Sequence, residues 1–142
     1  YLAYIAKKKN YPSNVILSGR KVNNNMKNYI IKKILNILKK NNFDCKILLF
    51  GATYKANVAD SRNSIPLNIY KFLKKKFRKK IFCIDTFIDP RLAKKYKILN
   101  KTGKTKYDYF IPLVSHKNMK LIYKKIFKNN KKLKLINLIP SE

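Results

Sequence analysis

Four short apolar runs, separated by stretches of a different period, constrain this chain more than any other feature. The runs are Lys46–Phe50, Ile81–Ile84, Tyr109–Val114 and Leu133–Ile139. Each has the length and the β-branched or aromatic content of a buried strand. The stretches between them repeat their apolar residues at helical spacing. Leu67, Tyr70, Leu73 and Phe77 follow a capping Ser64 with Pro66 in the first turn. Leu92 and Tyr96 follow Asp89-Pro90, a cap and first-turn pair. Met119, Ile122, Tyr123, Ile126 and Phe127 follow Ser115 or His116 as the cap. Strand alternating with helix predicts an α/β fold, an open, mostly parallel, Rossmann-like sheet with flanking helices. Pro112 inside the third run predicts an edge position or a bulge there.

A longer helical pattern precedes the sheet, from about Ser13 to Asn41. Val22, Met26, Ile30, Ile34 and Leu38 recur at every fourth residue, and Ile31 and Leu35 widen the stripe. A helix of this length needs cover from other helices, a second subunit's included, and Gly19 permits a close approach. Residues 1–8 read as the tail of an earlier helix, with Tyr1, Leu2, Tyr4 and Ile5 in the core and a break at Asn10-Tyr11-Pro12. An opening Tyr1 in place of Met predicts a fragment or a processed chain.

The charge is extreme, with 35 Lys and Arg against 6 Asp and Glu, a formal +29. Such a surface attracts polyanions, so a basic nucleic-acid-binding domain is the alternative reading of the chain. Arginine, whose planar fork reads bases and clamps phosphates, occurs only at positions 20, 62, 78 and 91. The lysines instead accompany Asn and Ile in every segment, the mark of a coding bias rather than of a built patch. No specific nucleic-acid partner is therefore expected. Cys45 and Cys83 each sit in an apolar run and read as buried structural thiols; no metal-ligand spacing occurs. No apolar stretch is long enough for a membrane span, and a reducing cytoplasm is the expected compartment.

Ligands of open α/β sheets bind beyond the carboxyl ends of the strands. The loop after the first run, Gly51 to Ser64, offers an aromatic ring (Tyr54), an ammonium (Lys55), a carboxylate (Asp60) and a guanidinium (Arg62). Lys55 and Arg62 suit phosphoryl oxygens, and Tyr54 suits a sugar or base face. On the chemistry alone a second reading stands beside it: Lys55 as one more surface lysine and Arg62 paired with Asp60. Asp85, at a strand end, reads as a turn cap or a ribose contact, His116 as a cap or supporting residue, and Arg20 as a helix-pairing residue.

Residues 46–64 closely resemble the strand and the G-x-x-(Y/F)-K-x5-R-x-S loop of the UDP-glucose/GDP-mannose dehydrogenase family. Further pieces resemble that family in the right order. Tyr1-Leu2 matches the end of its D-P-Y-Y-L element, and Gly19-Arg20-Lys21-Val22-Asn23 matches the G-R-x-(I/V)-N start of its central helix. Ile84 to Asp89 matches its Y-D-P-x-(V/I)-D strand end; Tyr107-Asp108 and His116 to Lys120 match its late strand and helix starts. The central-helix and H-K-x-(F/M)-K patterns are closer to the branch acting on UDP-N-acetylhexosamines.

The resemblance implies a C-terminal portion of an enzyme that oxidises the C6 hydroxyl of a UDP-sugar to a carboxylate in two NAD-dependent steps. A cysteine holds the intermediate as a thiohemiacetal and then a thioester. It further implies substrate contacts at Tyr54 and Lys55, an NAD contact at Arg62, and a homodimer formed through the helix of residues 13–41. Residues 1–41 then end a central dimerisation region, and residues 42–142 form a UDP-binding α/β domain. The family's cysteine precedes its D-P-Y-Y-L element, so it falls before Tyr1, and no G-x-G-x-x-G is present. No catalytic residue is expected in this chain, nor activity from it alone. The family's D-x-(K/R)-G pattern after its last strand is replaced by Asn137-Leu138-Ile139-Pro140, and Thr86 stands for the usual proline.

Overall fold

The computed structural model describes residues 4–5, 8–9 and 14–139. The expected helix tail over residues 1–8 falls largely outside them; the break at Asn10-Tyr11-Pro12 and the Ser13 cap fall wholly outside. Tyr4 and Ile5 are helical, and Tyr4, expected in the core, is exposed.

The elements are α1 (Asn14–Lys40), β1 (Ile47–Phe50), α2 (Ile65–Lys76), β2 (Ile81–Ile84), α3 (Pro90–Tyr96), β3 (Tyr109–Pro112), α4 (Met119–Asn129) and β4 (Lys134–Leu135). The four strands form one parallel sheet in the order β2-β1-β3-β4. β1 is buried along its whole length. Its side chains alternate between faces, as a strand requires. Ile47 and Leu49 join the core under α1, α2 and α3, while Leu48 and Phe50 join Phe110, Ile122 and Ile126 beneath α4.

Two helix starts follow their sequence signals. Ser64 accepts a hydrogen bond from the Leu67 N–H at the head of α2, and Asp89 accepts from Arg91 and Leu92 at the head of α3. At α4 the cap is Asn118, without a side-chain cap bond. His116, expected to serve there, has its ring engaged by two other loops.

Pro112 does not make β3 an edge or a bulge; β3 lies between β1 and β4. Tyr109 and Leu113 donate toward β1, to Lys46 O and Phe50 O. By alternation the nitrogen of Pro112 faces the other side, where β4 has already ended at Leu135. The ladder stops where proline offers no donor. β4 is correspondingly short, two residues where seven read as strand.

The helix expected over residues 13–41 is a single helix, α1, but its stripe divides. Ile30, Ile31, Ile34 and Leu38 are buried in the main core. Val15, Leu17 and Val22 are exposed, Val22 by 62%. A side chain placed at Gly19 would meet nothing within 4 Å in this chain. Among the described residues, no helix is long and apolar enough to cross a membrane, and no group of three His, Cys, Asp or Glu is placed to hold a metal.

Candidate functional site

The chain leaves β1 for β2 on one side and returns to β3 on the other, so the crevice between the carboxyl ends of β1 and β3 is the switch point of the sheet. Gly51 makes the turn there, with a φ of +92° that side-chain-bearing residues rarely adopt. Its lack of a Cβ also lets the β3 end come against it at Val114.

Three loops meet above this turn around Asp85, which is fully buried. Asp85 Oδ2 accepts from the Ala52 N–H at 2.6 Å and the Thr53 N–H at 3.0 Å, and lies 3.2 Å from His116 Nε2. Oδ1 accepts from Phe87 at 2.7 Å and Ile88 at 3.2 Å. Burial alone would raise this carboxyl's pKa. The hydrogen bonds from His116, Ala52 and Phe87 outweigh it and hold the pKa at about 2.

His116 lies between Phe87, stacked at 4.7 Å, and the edge of Phe50 at 5.6 Å. Its Nδ1 accepts from the Asn57 N–H at 2.9 Å. An amide N–H can only donate, so Nδ1 carries a lone pair and Nε2 carries the proton directed at Asp85. Asn57, in the left-handed region at φ 62°, also accepts from the Lys117 N–H through Oδ1 at 2.8 Å. The far end of the loop is tied by Ser64, whose hydroxyl donates to Ala52 O at 2.6 Å.

Within this frame Tyr54 and Lys55 come together. The Lys55 ammonium stands 5.6 Å from the centre of the Tyr54 ring, and the ring is half exposed. Among the described residues Lys55 makes no ion pair. Both residues line a hollow of about 380 Å³ whose apolar walls come from Met26 and Ile30 of α1, Ile65 and Ile69 of α2, and Leu113 and Val114 beyond β3. An apolar hollow with one unneutralised cation at the switch point suits a ligand with a planar or sugar part and an anionic part.

Arg62 is not brought to that hollow. It faces a separate one of about 680 Å³, shared with Lys71, Arg91 and Tyr96 on the α3 side. Its Nε and Nη2 donate to the two oxygens of Asp60 at 3.0 and 2.9 Å, as the second reading of the loop anticipated. The guanidinium's hydrogen bonds lower Asp60 to about 2. The Arg62 side chain is nevertheless 88% exposed, with Nη1 unused in this pairing.

Both cysteines are free and buried. Burial pushes the Cys83 thiol well up, with Asp85 adding to it, and raises Cys45 too. That is opposite to the depressed pKa of a nucleophilic thiolate. Sequence reasoning gave no role to Thr53 or Asn57. Asn57 left one signal, an asparagine in a polar loop, the side-chain-bearing residue that most readily takes a left-handed turn.

No family model matches the chain. In sequence it is 28% identical over 126 residues to a UDP-N-acetyl-D-glucosamine 6-dehydrogenase of Salmonella typhi, covering 84% of this chain and 29% of that protein. It is 44% identical over 59 residues to a UDP-N-acetyl-D-mannosamine dehydrogenase of Methanococcus maripaludis, covering 41% of this chain and 14% of the relative. The chain thus spans less than a third of the curated relatives it matches. In fold it matches the UDP-N-acetyl-mannosamine dehydrogenase Cap5O of Staphylococcus aureus with a TM-score of 0.71 at 20% identity, over 96% of this chain and 35% of that one. The UDP-D-ManNAc dehydrogenase of Pyrococcus horikoshii matches with a TM-score of 0.61 at 18% identity, over 87% of this chain and 30% of that one. By sequence and by fold together, the chain matches the C-terminal part of UDP-sugar dehydrogenases.

Proposed function

We propose that this chain is the UDP-sugar-binding portion of an NAD-dependent UDP-sugar 6-dehydrogenase, which oxidises a C6 hydroxyl to a carboxylate in two steps. The observation that carries the reading is the position of Tyr54 and Lys55 at the β1/β3 switch point, on an apolar hollow, with the Lys55 charge in no ion pair among the described residues. The names of the relatives support a UDP-sugar as ligand.

Lys55 supplies a point charge for a phosphoryl oxygen, and Tyr54 a face for the sugar or base. Arg62 is assigned to NAD. Its exposure and its unused Nη1 fit a contact with an anionic group of a cofactor bound chiefly by another domain, and Asp60 holds the guanidinium in orientation meanwhile. NAD, when bound, accepts a hydride in each oxidation. The described residues bind and orient, and with both thiols buried and raised they supply no nucleophile, so no dehydrogenase activity is expected from them alone.

Residues 13–41 are assigned to homodimerisation, supported by the exposed apolar residues on the first half of α1, and residues 42–142 to UDP binding. The buried free thiols suit a reducing cytoplasm. Calorimetric titration of the chain with UDP tests the assignment. Binding that Lys55→Ala weakens by at least about 1 kcal/mol is expected, the scale of a charge-assisted hydrogen bond. Equal affinity in the variant overturns it.

A further inference from the structure

We propose that His116 is a positioning residue for the ligand loop, holding Tyr54 and Lys55 in place only while its Nδ1 is free to accept the Asn57 N–H. The inference rests on the assignment of Tyr54 and Lys55 to the ligand. It goes beyond that assignment in naming what fixes them and what releases them.

The geometry forms one chain of contacts across the crevice. Asp85, after β2, accepts from the Nε2–H at 3.2 Å, and Thr53 Oγ1 lies 3.3 Å from the same nitrogen while donating to Lys55 O at 3.2 Å. On its other side the imidazole accepts from Asn57 at 2.9 Å. Residues 53 and 57 bracket Tyr54 and Lys55, so both ends of the ligand-bearing turn are tied to one ring. Asn57 Oδ1 returns a bond from Lys117, closing the link to the segment after β3 that walls the same hollow.

A second proton on the ring acts in opposite directions at its two nitrogens. At Nε2 it strengthens the contact with Asp85, because a charged donor then faces a carboxylate. At Nδ1 it removes the only lone pair available to Asn57. The groups that face the ring are Asp85 from the β2 loop, Thr53 and Asn57 from the β1 loop, and the uncharged rings of Phe50 and Phe87. Lys117 lies over Phe87, 6.0 Å from its centre. Loss of the Nδ1 acceptor alone would therefore keep the buried pair and free the turn.

Two variants separate the nitrogens. His116→Asn places an amide oxygen near the Nδ1 position and cannot titrate; His116→Gln reaches toward Asp85 and leaves Asn57 without an acceptor. Amide hydrogen exchange of residues 53–58 in the ligand-free chain, compared among the parent and the two variants at one pH, is the primary readout. After correction for intrinsic exchange, protection should be high in the parent chain, retained in His116→Asn, and low in His116→Gln. In parallel, UDP affinity should weaken roughly five- to tenfold in His116→Gln, the worth of about one hydrogen bond, and His116→Asn should restore it. Loop protection that is equal in all three proteins overturns the positioning role. If loop protection behaves as described but no protein binds UDP, the positioning role stands and the ligand assignment fails instead.

Discussion

Gly51 and Val114 stand so close that a methyl group on Gly51 would lie 2.6 Å from Val114 Cβ and 3.0 Å from its backbone nitrogen. The contact seals the floor of the crevice between β1 and β3. Gly51→Ala adds both this overlap and the strain of a side chain at φ +92°. A loss of about 2–4 kcal/mol is expected, combining overpacking with backbone strain. Urea unfolding reads it directly, and an unchanged midpoint would show that the two segments separate at little cost.

Asp85 makes stability depend on acid. Its folded pKa of about 2 lies below the ordinary 3.8, so its contribution is fully present above pH 3.8 and is lost as pH falls toward 2. The size is about 2 kcal/mol on the linkage relation. Urea midpoints collected between pH 5 and pH 2 should decline in the parent chain and decline less in Asp85→Asn. Parallel curves would assign the acid sensitivity elsewhere.

Tyr54 and Lys55 line one hollow and Arg62 another, so their substitutions should separate. Lys55→Ala weakens UDP binding as stated above, and Arg62→Ala leaves the UDP affinity and the unfolding midpoint within error, its ion pair with Asp60 being exposed. A parallel loss of UDP affinity in both variants would place a single ligand across the two hollows.

Val22 belongs to the exposed stretch of α1 and lies outside the Tyr54–Lys55 hollow. Val22→Glu should keep the circular dichroism of the folded chain while shifting sedimentation from dimer toward monomer. A parent chain that sediments as a monomer at every concentration removes the dimer assignment.

The thiols of Cys45 and Cys83 should resist alkylation at pH 8 in the native chain and react fully in urea, because burial raises both and shields them. Rapid native labelling of Cys83 would contradict its full burial on β2.

Periodic features were readable along the chain. The run Ile81–Ile84 is β2 residue for residue, and α1 ends at Lys40, one residue before its predicted end. The caps at Ser64 and Asp89 were equally legible, since a cap is a relation between neighbours. What escaped reading has partners far off in sequence. The place of β3 inside the sheet depends on how far β4 runs beside it, which Pro112 alone does not disclose. Thr53, Asn57, Asp85 and His116 meet from loops 31 to 63 residues apart, through single hydrogen bonds that leave no period behind. Arg62 is a further case, since the spacing of the loop is the same whether it meets a ligand or Asp60; in the fold the ion pair is formed and the guanidinium is still open to solvent.

The divided stripe of α1 has a mechanical consequence. Its last turns are clamped in the core, while Met26 and Ile30, near the point where the clamp begins, are also wall residues of the Tyr54–Lys55 hollow. The helix is thus a cantilever whose root walls the proposed ligand hollow. A second copy of the chain packed on its first half, as proposed, would bear on that root. If the two events are coupled, each favours the other by the same free energy. Ligand affinity would then rise with protein concentration, and ligand would in turn tighten association.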